Sequence, residues 1–252
     1  MVAAFVALAG ASSPNAADFS ADQVRQRLAN ATDGKPADFT RKDLSDLDLG
    51  HIDFRGADLS GANLFASRLV SSNLAGAKLA GANLNGTWLM GASFAGADLS
   101  GSTMLGLVIL GGDVKEKPNF AGANLSGVRM IADLPGADLH GANLRGARLG
   151  VDMRNQGMGQ MRTDLSNANL SGADLRDADL SRSLMMFADL RGADLRGAKL
   201  FGVKLAGANL TGAQIAGADF TEADVDGTVF TGVQGRDTAK GLDKPSGERV
   251  VR

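Results

Sequence analysis

The sequence contains no cysteine and no tyrosine, and it has one tryptophan and two histidines among 252 residues. Without cysteine there is no disulfide framework, no thiolate nucleophile and no thiolate metal ligand. Lysine and arginine (26) nearly balance aspartate and glutamate (28), so a general nucleic-acid-binding surface is not indicated. No apolar run approaches the roughly 18–20 residues that span a bilayer. We therefore expect no transmembrane segment.

A five-residue period fills most of the chain. Apolar centres recur every five residues from Phe39 to Ile109, and the period returns twice before a last stretch from Leu165 to Phe230. Of 36 such centres, 24 are Leu and 6 are Phe. Alanine dominates two positions before the centre, Asp or Asn one position before it, and Gly two positions after it. Neither an α-helix nor a single strand has this period.

Four such units in one turn of a superhelix would give coils of twenty residues. Each centre would then point inward and stack on the residue twenty positions later, as in Leu170, Leu190 and Leu210. Successive backbone layers would lie about 4.8 Å apart, the spacing of paired strands. The small residue would lie at an inward corner, and the Asp or Asn would face outward and bond to the turn backbone.

The units match a known repeat. The segments 57–61 (ADLSG), 82–86 (ANLNG) and 193–197 (ADLRG) resemble the units of pentapeptide-repeat proteins, and the resemblance covers roughly residues 37 to 232. The resemblance implies an all-β fold, a right-handed quadrilateral parallel β-helix (a solenoid). The 36 units predict about nine coils and a rod of about 43 Å.

The ends differ from the repeats. Residues 1–17 hold a short apolar run and a small-x-small site, so we treat them as a candidate signal peptide, although no basic residue precedes the run. Residues 18–36 predict a short N-terminal capping helix and linker, with Ser20 and Gln23 as a capping box. Residues 233–252 are a polar C-terminal tail. The protein would be periplasmic if residues 1–17 act as a signal, and cytoplasmic otherwise.

The register breaks in three places. Extra residues follow Ile109, one residue is missing between Met130 and Leu134, and a longer insertion follows Leu149. These breaks are either drift that the coil tolerates or projecting loops that form a recognition site.

The repeat pattern gives no cluster of residues that would indicate catalysis. The predicted outward positions of His51 and His140 make both solvent-facing, and the repeat position accounts for the carboxylates. Calcium bound between Asp174 and Asp194 is less favoured than a salt-bridged surface, because Arg176 and Arg196 lie on the same side. We expect no enzyme activity, no cofactor and no metal.

Apolar residues replace polar ones at several predicted outward positions, and such patches often mark interfaces. The candidate protein interface comprises Phe65, Val70, Trp88, Met90, Leu105, Val108 and Leu110. A secondary interface comprises Met153, Met158, Met161, Leu184, Met186 and Phe187.

The favoured function is a non-catalytic rigid scaffold that binds another protein or a second copy of itself, as an accessory component of a bacterial envelope complex. The resemblance also implies a rival, a cytoplasmic DNA mimic that binds gyrase. Residues 37–232 hold 22 acidic and 18 basic residues, a net charge of −4, whereas 43 Å of duplex DNA carries about 25 negative charges. A purely structural spacer is the third alternative.

Overall fold

The computed structural model describes residues 17–32, 34–109, 116–151 and 162–242. Its backbone runs in coils that are joined by four ladders of parallel bridges, each built from the residues that precede the centres. We number the sides of the coil by these ladders. The first ladder begins at Asp38, the second at Asp43, the third at Asp48 and the fourth at Asp53. They pair with Asp58, Asn63, Arg68 and Asn73, respectively.

The ladders continue through the register breaks. Along the fourth ladder, the step from Ser93 to Asn119 spans 26 residues, the next step to Asp138 spans 19, and the step to Asn169 spans 31. Regular steps span 20. The first break therefore adds six residues to its coil, the second removes one and the third adds eleven. The pairing resumes in the same register after each break.

A spine of leucines fills the interior. Leu170, Leu190 and Leu210 are all fully buried, as are nearly all other centres. The alanines two positions before the centres are also buried, which confirms the predicted inward corner. The hydrophobic core is one continuous cluster from Val24 to Ala239.

Each repeat unit is held by hydrogen bonds to its neighbours and by a turn. In the unit at residues 57–61, the amide of Leu59 donates to Lys78 O (2.7 Å), and the amide of Asp58 donates to Ala37 O (2.9 Å). Asp58 Oδ1 accepts from the Ser60 amide at 3.0 Å. Gly61 has φ +66°, a conformation that glycine adopts without a Cβ penalty. The predicted bonding of Asp and Asn to the turn backbone is confirmed here and recurs along the chain.

The missing residue coincides with regular strand structure. Strand β1 (Thr103–Leu105) pairs in parallel with β2 (Arg129–Ile131), with Met104 opposite Met130. After β2 the chain reaches the next centre, Leu134, without the turn that separates centres elsewhere. Deletion of one turn residue thus extends the strand across the corner.

A helix and a short turn lie at the two ends of the coils. Helix α1 (Ala21–Ala29) begins with the predicted capping box of Ser20 and Gln23. Its Val24 is fully buried, and Phe19 packs edge-on against Phe39 with ring centroids 5.8 Å apart. At the other end, a 3₁₀ helix (Arg236–Thr238) follows Gln234, and the first and second ladders reach Gln234 and Lys240. Residues 1–16 of the candidate signal peptide lie outside the described residues.

Candidate protein-binding surface

Apolar residues at ladder positions concentrate on one side. Three residues of the third ladder are apolar, namely Trp88, Val108 and Leu184, whereas the other ladders carry polar residues apart from Val229. We call the residues one before, one after and two after the centres of this ladder the third side. Trp88, Val108 and Leu184 are all partly exposed. The ordinary polar covering of the coil is therefore interrupted mainly on this side.

Trp88 is held by its neighbour on the preceding coil. The Arg68 guanidinium lies 5.0 Å from the Trp88 ring centroid, a cation–π contact. Arg68 also approaches Asp48, with Nε 3.8 Å from Oδ2. The indole is thus supported on the rod by a cation while part of it stays open to solvent.

Two residues of the predicted interface are buried, and their assignment to the exposed surface is wrong. Val70 is 7% exposed and Met90 is 3% exposed. The His51 amide donates to Val70 O (2.9 Å) and the Ser71 amide to Met90 O (2.8 Å), so the two residues hold the same position on successive coils. Apolar side chains stacked at this spacing shield one another. Buried side chains at these positions offer no contact area to a partner.

Two predicted interface residues lie on the second side instead. Phe65 is 48% exposed. Leu105 is partly exposed, pairs in register with Ile131, and donates its amide to Asn85 Oδ1 at 2.8 Å. Asn85 thus separates Leu105 from Phe65 along this side. Leu110 lies outside the described residues, so the described part of the predicted interface is divided between two sides.

The secondary candidates share the third side with Trp88. Leu184 occupies the third ladder, Met186 is partly exposed, and Phe187 is 65% exposed. The Phe187 ring lies against Gly207, where an added Cβ would be 2.5 Å from Phe187 Cδ1. Met153, Met158 and Met161 lie outside the described residues.

Sequence reasoning missed that the two candidates face the same way. The third side passes through Trp88, Val108, Asp133, Asp164 and Leu184 on successive coils, although no bridge joins Val108 to Asp133 in the described part of the chain and the pairing of Thr103 with Arg129 on the second side supplies that step. Four coil steps therefore separate Trp88 from Leu184, a distance of about 19 Å. Counting the extra and missing residues at each register break would have predicted that Trp88 and Leu184 lie on the same side.

Charges on the third side are paired at its ends and unpaired in its middle. Arg68 lies beside Asp48, and Lys204 Nζ lies 3.5 Å from Asp224 Oδ2. Asp133 and Asp164 are bridged on adjacent coils. Among the described residues neither of them forms an ion pair, and Asp164 Oδ1 instead accepts from the Ser166 amide at 2.8 Å. The middle of this side is therefore acidic.

The three register breaks also border the third side. The first follows Ile109, a centre of this side, and the second shortens the corner before Asp133. The third lies between Leu149 and Asp164. Departures from the regular repeat thus collect along one of the four sides.

The first side carries the salt-bridged surface expected around Asp174 and Asp194. Arg176 Nη2 lies 2.5 Å from Asp174 Oδ2, and its Nε lies 3.6 Å from Asp194 Oδ2. Arg196 pairs with Asp194 at 2.6 Å. Hydrogen bonds from Arg176 and Arg196 lower the pKa values of Asp174 and Asp194, respectively. Their carboxylate oxygens are occupied by guanidinium groups.

The described residues offer little for catalysis or metal binding. No group of three or more His, Asp or Glu side chains in the described ranges is arranged to hold a metal ion. His51 and His140 are exposed, and His140 Nδ1 lies 2.8 Å from Asp138 Oδ1. A groove of about 720 Å³ between α1 and the first coils includes His51, but Asp53 there is bound by Arg55.

Within the described ranges, the longest helix has nine residues and no helix could cross a bilayer.

Comparison of the sequence with known protein families matches one family, the pentapeptide repeats. The sequence profile of pentapeptide repeats matches residues 37–66, 67–104, 118–150, 163–202 and 193–232, which together make up more than half of the chain. No curated protein matches the chain significantly. The comparisons indicate no enzyme family.

Several solved structures are similar. HetL, a pentapeptide repeat protein involved in heterocyst differentiation regulation in the cyanobacterium Nostoc, is 29% identical, with 88% of this chain and 94% of HetL covered and a TM-score of 0.33. QnrB1, a plasmid-mediated fluoroquinolone resistance protein, is 19% identical over 73% of this chain and 89% of its own, with a TM-score of 0.36. Rfr23 from the cyanobacterium Cyanothece is 26% identical over 48% and 90% of the two chains, with a TM-score of 0.29.

Proposed function

The chain belongs to the pentapeptide-repeat family, and we propose that it is a non-catalytic rigid scaffold whose third side binds another protein. The observation that carries this proposal is that three of the four apolar residues at described ladder positions, Trp88, Val108 and Leu184, lie on that side and are partly exposed. Contiguous apolar surface on a folded protein often marks an interface. A partly exposed tryptophan beside an arginine is also typical of interface contacts.

The architecture suits a scaffold. A closed right-handed rod of about nine coils, with α1 covering the Phe39 end, would hold side chains on one side at fixed intervals. The coils are bonded to one another along four ladders, interrupted within the described ranges on the third side between Val108 and Asp133, and are packed around a continuous core. Such a surface loses little conformational entropy on binding, because its side chains are already ordered by their neighbours.

A charge substitution on the third side tests this proposal. Trp88→Glu and Leu184→Glu place an anion within the apolar surface. The matched control is Ser93→Glu, at a partly exposed position on the fourth ladder. The tagged proteins are used as bait in extracts of the native organism. We expect Trp88→Glu and Leu184→Glu to lose a partner that the wild type and Ser93→Glu retain, while all variants stay folded with melting temperatures within a few degrees of the wild type. Equal retention by all four folded proteins would reject this surface, and the absence of any partner would favour the structural spacer.

The compartment is a separate proposal. We place the protein in the periplasm as part of an envelope complex, because the apolar run in residues 2–10 precedes a small-x-small site. Fractionation of cells that express the full chain, with mass measurement of the recovered protein, tests this. A protein recovered intact from the cytosol would contradict it.

A further inference from the structure

The third side has a charge pattern that specifies more than a general apolar contact. One run of bridges joins Asp48, Arg68, Trp88 and Val108, and a second run joins Asp133, Asp164, Leu184, Lys204 and Asp224. No bridge joins Val108 to Asp133 among the described residues, and the pairs Thr103–Arg129 and Ser93–Asn119 on the neighbouring sides place these two residues on successive coils. The third side thus has an acid–base pair at each end and two carboxylates at its centre. Apolar residues lie between each pair and the central carboxylates.

The central carboxylates are the electrostatically unsatisfied part of this side. Asp48 has Arg68 and Asp224 has Lys204, each on the adjacent coil. Asp133 and Asp164 face each other across one coil step and have no ion pair among the described residues. Like charges directly opposite each other on paired strands are unfavourable. A cation placed between them would relieve this repulsion.

We infer that the third side binds a segment of a partner protein that carries a lysine or arginine between two apolar side chains. The cation would lie over Asp133 and Asp164, and the apolar side chains would contact Trp88 on one side and Leu184 with Phe187 on the other. The spacing of about 19 Å corresponds to about thirteen residues of helix or about six extended residues. This inference rests on the proposed function and adds the chemistry of the partner.

The same pattern argues against a second copy of the chain as the occupant. An antiparallel copy that aligned its Trp88 with Leu184 would bring its own Asp133 onto Asp133 of the first copy and would place each Asp164 opposite Val108, one coil step away. The two Asp133 carboxylates would then meet at the centre of a dry interface and the two Asp164 carboxylates would face apolar Val108, and unpaired charge is costly in both places. A basic partner segment avoids this arrangement.

The experiment uses random sixteen-residue peptides displayed on phage and selected on the full-length protein. We expect the enriched sequences to share a basic residue flanked by apolar residues. A synthetic peptide of the consensus is then titrated, and the fluorescence of Trp88 reports binding because it is the sole tryptophan. Asp133→Asn with Asp164→Asn should weaken binding of the peptide about tenfold, since the substitutions remove both charges while an asparagine at position 164 can still accept from the Ser166 amide. The control pair Asp179→Asn and Asp219→Asn removes two charges from the second side and should leave the affinity unchanged.

The outcomes separate this inference from the proposed function. Enriched peptides without a basic residue, the same affinity for the Asp133→Asn/Asp164→Asn protein, or no enrichment would overturn the inference. In each case the proposed function stands if Trp88→Glu still removes the native partner. Self-association that Trp88→Glu abolishes, measured by sedimentation, would also overturn the inference and identify a second copy as the occupant.

Discussion

The Arg68 guanidinium lies 5.0 Å from the centre of the Trp88 ring on the next coil. This contact covers one face of the only tryptophan, so Arg68→Ala should make the indole more accessible to water. We expect a red-shifted emission and stronger quenching by acrylamide, with a loss of about 0.5–1 kcal/mol in stability. Arg196→Ala, on the first side, should leave the emission unchanged. An unchanged emission in Arg68→Ala would mean that the two side chains are not in contact.

The inward and outward positions of one repeat unit should respond very differently to substitution. Leu190→Asp buries a charge between Leu170 and Leu210 and should cost several kcal/mol. Asp189→Asn retains the bond that Asp189 Oδ1 accepts from the Arg191 amide and loses only a surface ion pair. It should cost less than about 1 kcal/mol. Urea unfolding of the two variants measures both values, and similar losses would contradict the assignment of the side chains.

The regular part of the fold was predictable from the sequence because one short-range rule repeats. An apolar residue at every fifth position indicates which side chains point inward, and burial of Leu170, Leu190 and Leu210 confirms it. Burial of outward-pointing residues was not predictable in this way. Val70 and Met90 occupy outward positions of the repeat and are nevertheless buried, because burial at such a position depends on what more distant parts of the chain place over it.

The Phe187 ring and Gly207 should be energetically coupled. Gly207 and Gly212 both have φ +69°, so alanine is strained at either position. Only at Gly207 would the new Cβ meet the Phe187 ring, whereas nothing lies within 4 Å at Gly212. Gly207→Ala should therefore be more destabilising than Gly212→Ala. The difference, about 0.5–1.5 kcal/mol, should vanish when Phe187→Ala is present. A difference that persists in the Phe187→Ala protein would rule out the ring as its cause.

The ion pairs of the first side should contribute to stability at neutral pH and not in acid. Hydrogen bonds from Arg176 and Arg196 lower the pKa values of Asp174 and Asp194 in the folded state. Their stabilising contribution is thus present above the unfolded pKa of about 3.8 and is lost as the pH falls through the lower folded values. Asp174→Asn with Asp194→Asn should lower the melting temperature at pH 7.

The difference from wild type should begin to shrink below about pH 4, where these carboxylates become protonated in the unfolded chain, and should disappear below the lower pKa values of the folded state. Asp226→Asn serves as the control, since Asp226 is exposed and forms no ion pair within the described part of the chain. A difference in melting temperature that stays constant from pH 7 to pH 3 would show that the ion pairs contribute nothing.

The charge balance gives a prediction for the rival function. Residues 37–232 carry a net charge of −4, and guanidinium groups such as that of Arg176 occupy several carboxylates. Such a surface differs from duplex DNA, whose charge is uniformly negative. We expect no inhibition of gyrase supercoiling at micromolar protein. Inhibition at that concentration would favour DNA mimicry.

The candidate surface was predictable only in part. Exposure of Trp88, Val108, Leu184 and Phe187 follows from their positions in the repeat. The common direction of Trp88 and Leu184 depends on how the coil absorbs extra and missing residues, and the ladders show that pairing resumes in register after each break. The unpaired state of Asp133 and Asp164 depends on which charges lie one coil away.

Photo-crosslinking from defined positions tests the role of the third side most directly. A benzophenone amino acid replaces Trp88 or Leu184 on the third side, or Asn73 or Asn209 on the fourth ladder, and the proteins are irradiated in living cells of the native organism. We predict the same protein adduct from positions 88 and 184 and none from positions 73 and 209. Adducts of equal yield from both sides, or from the fourth side alone, would contradict the account.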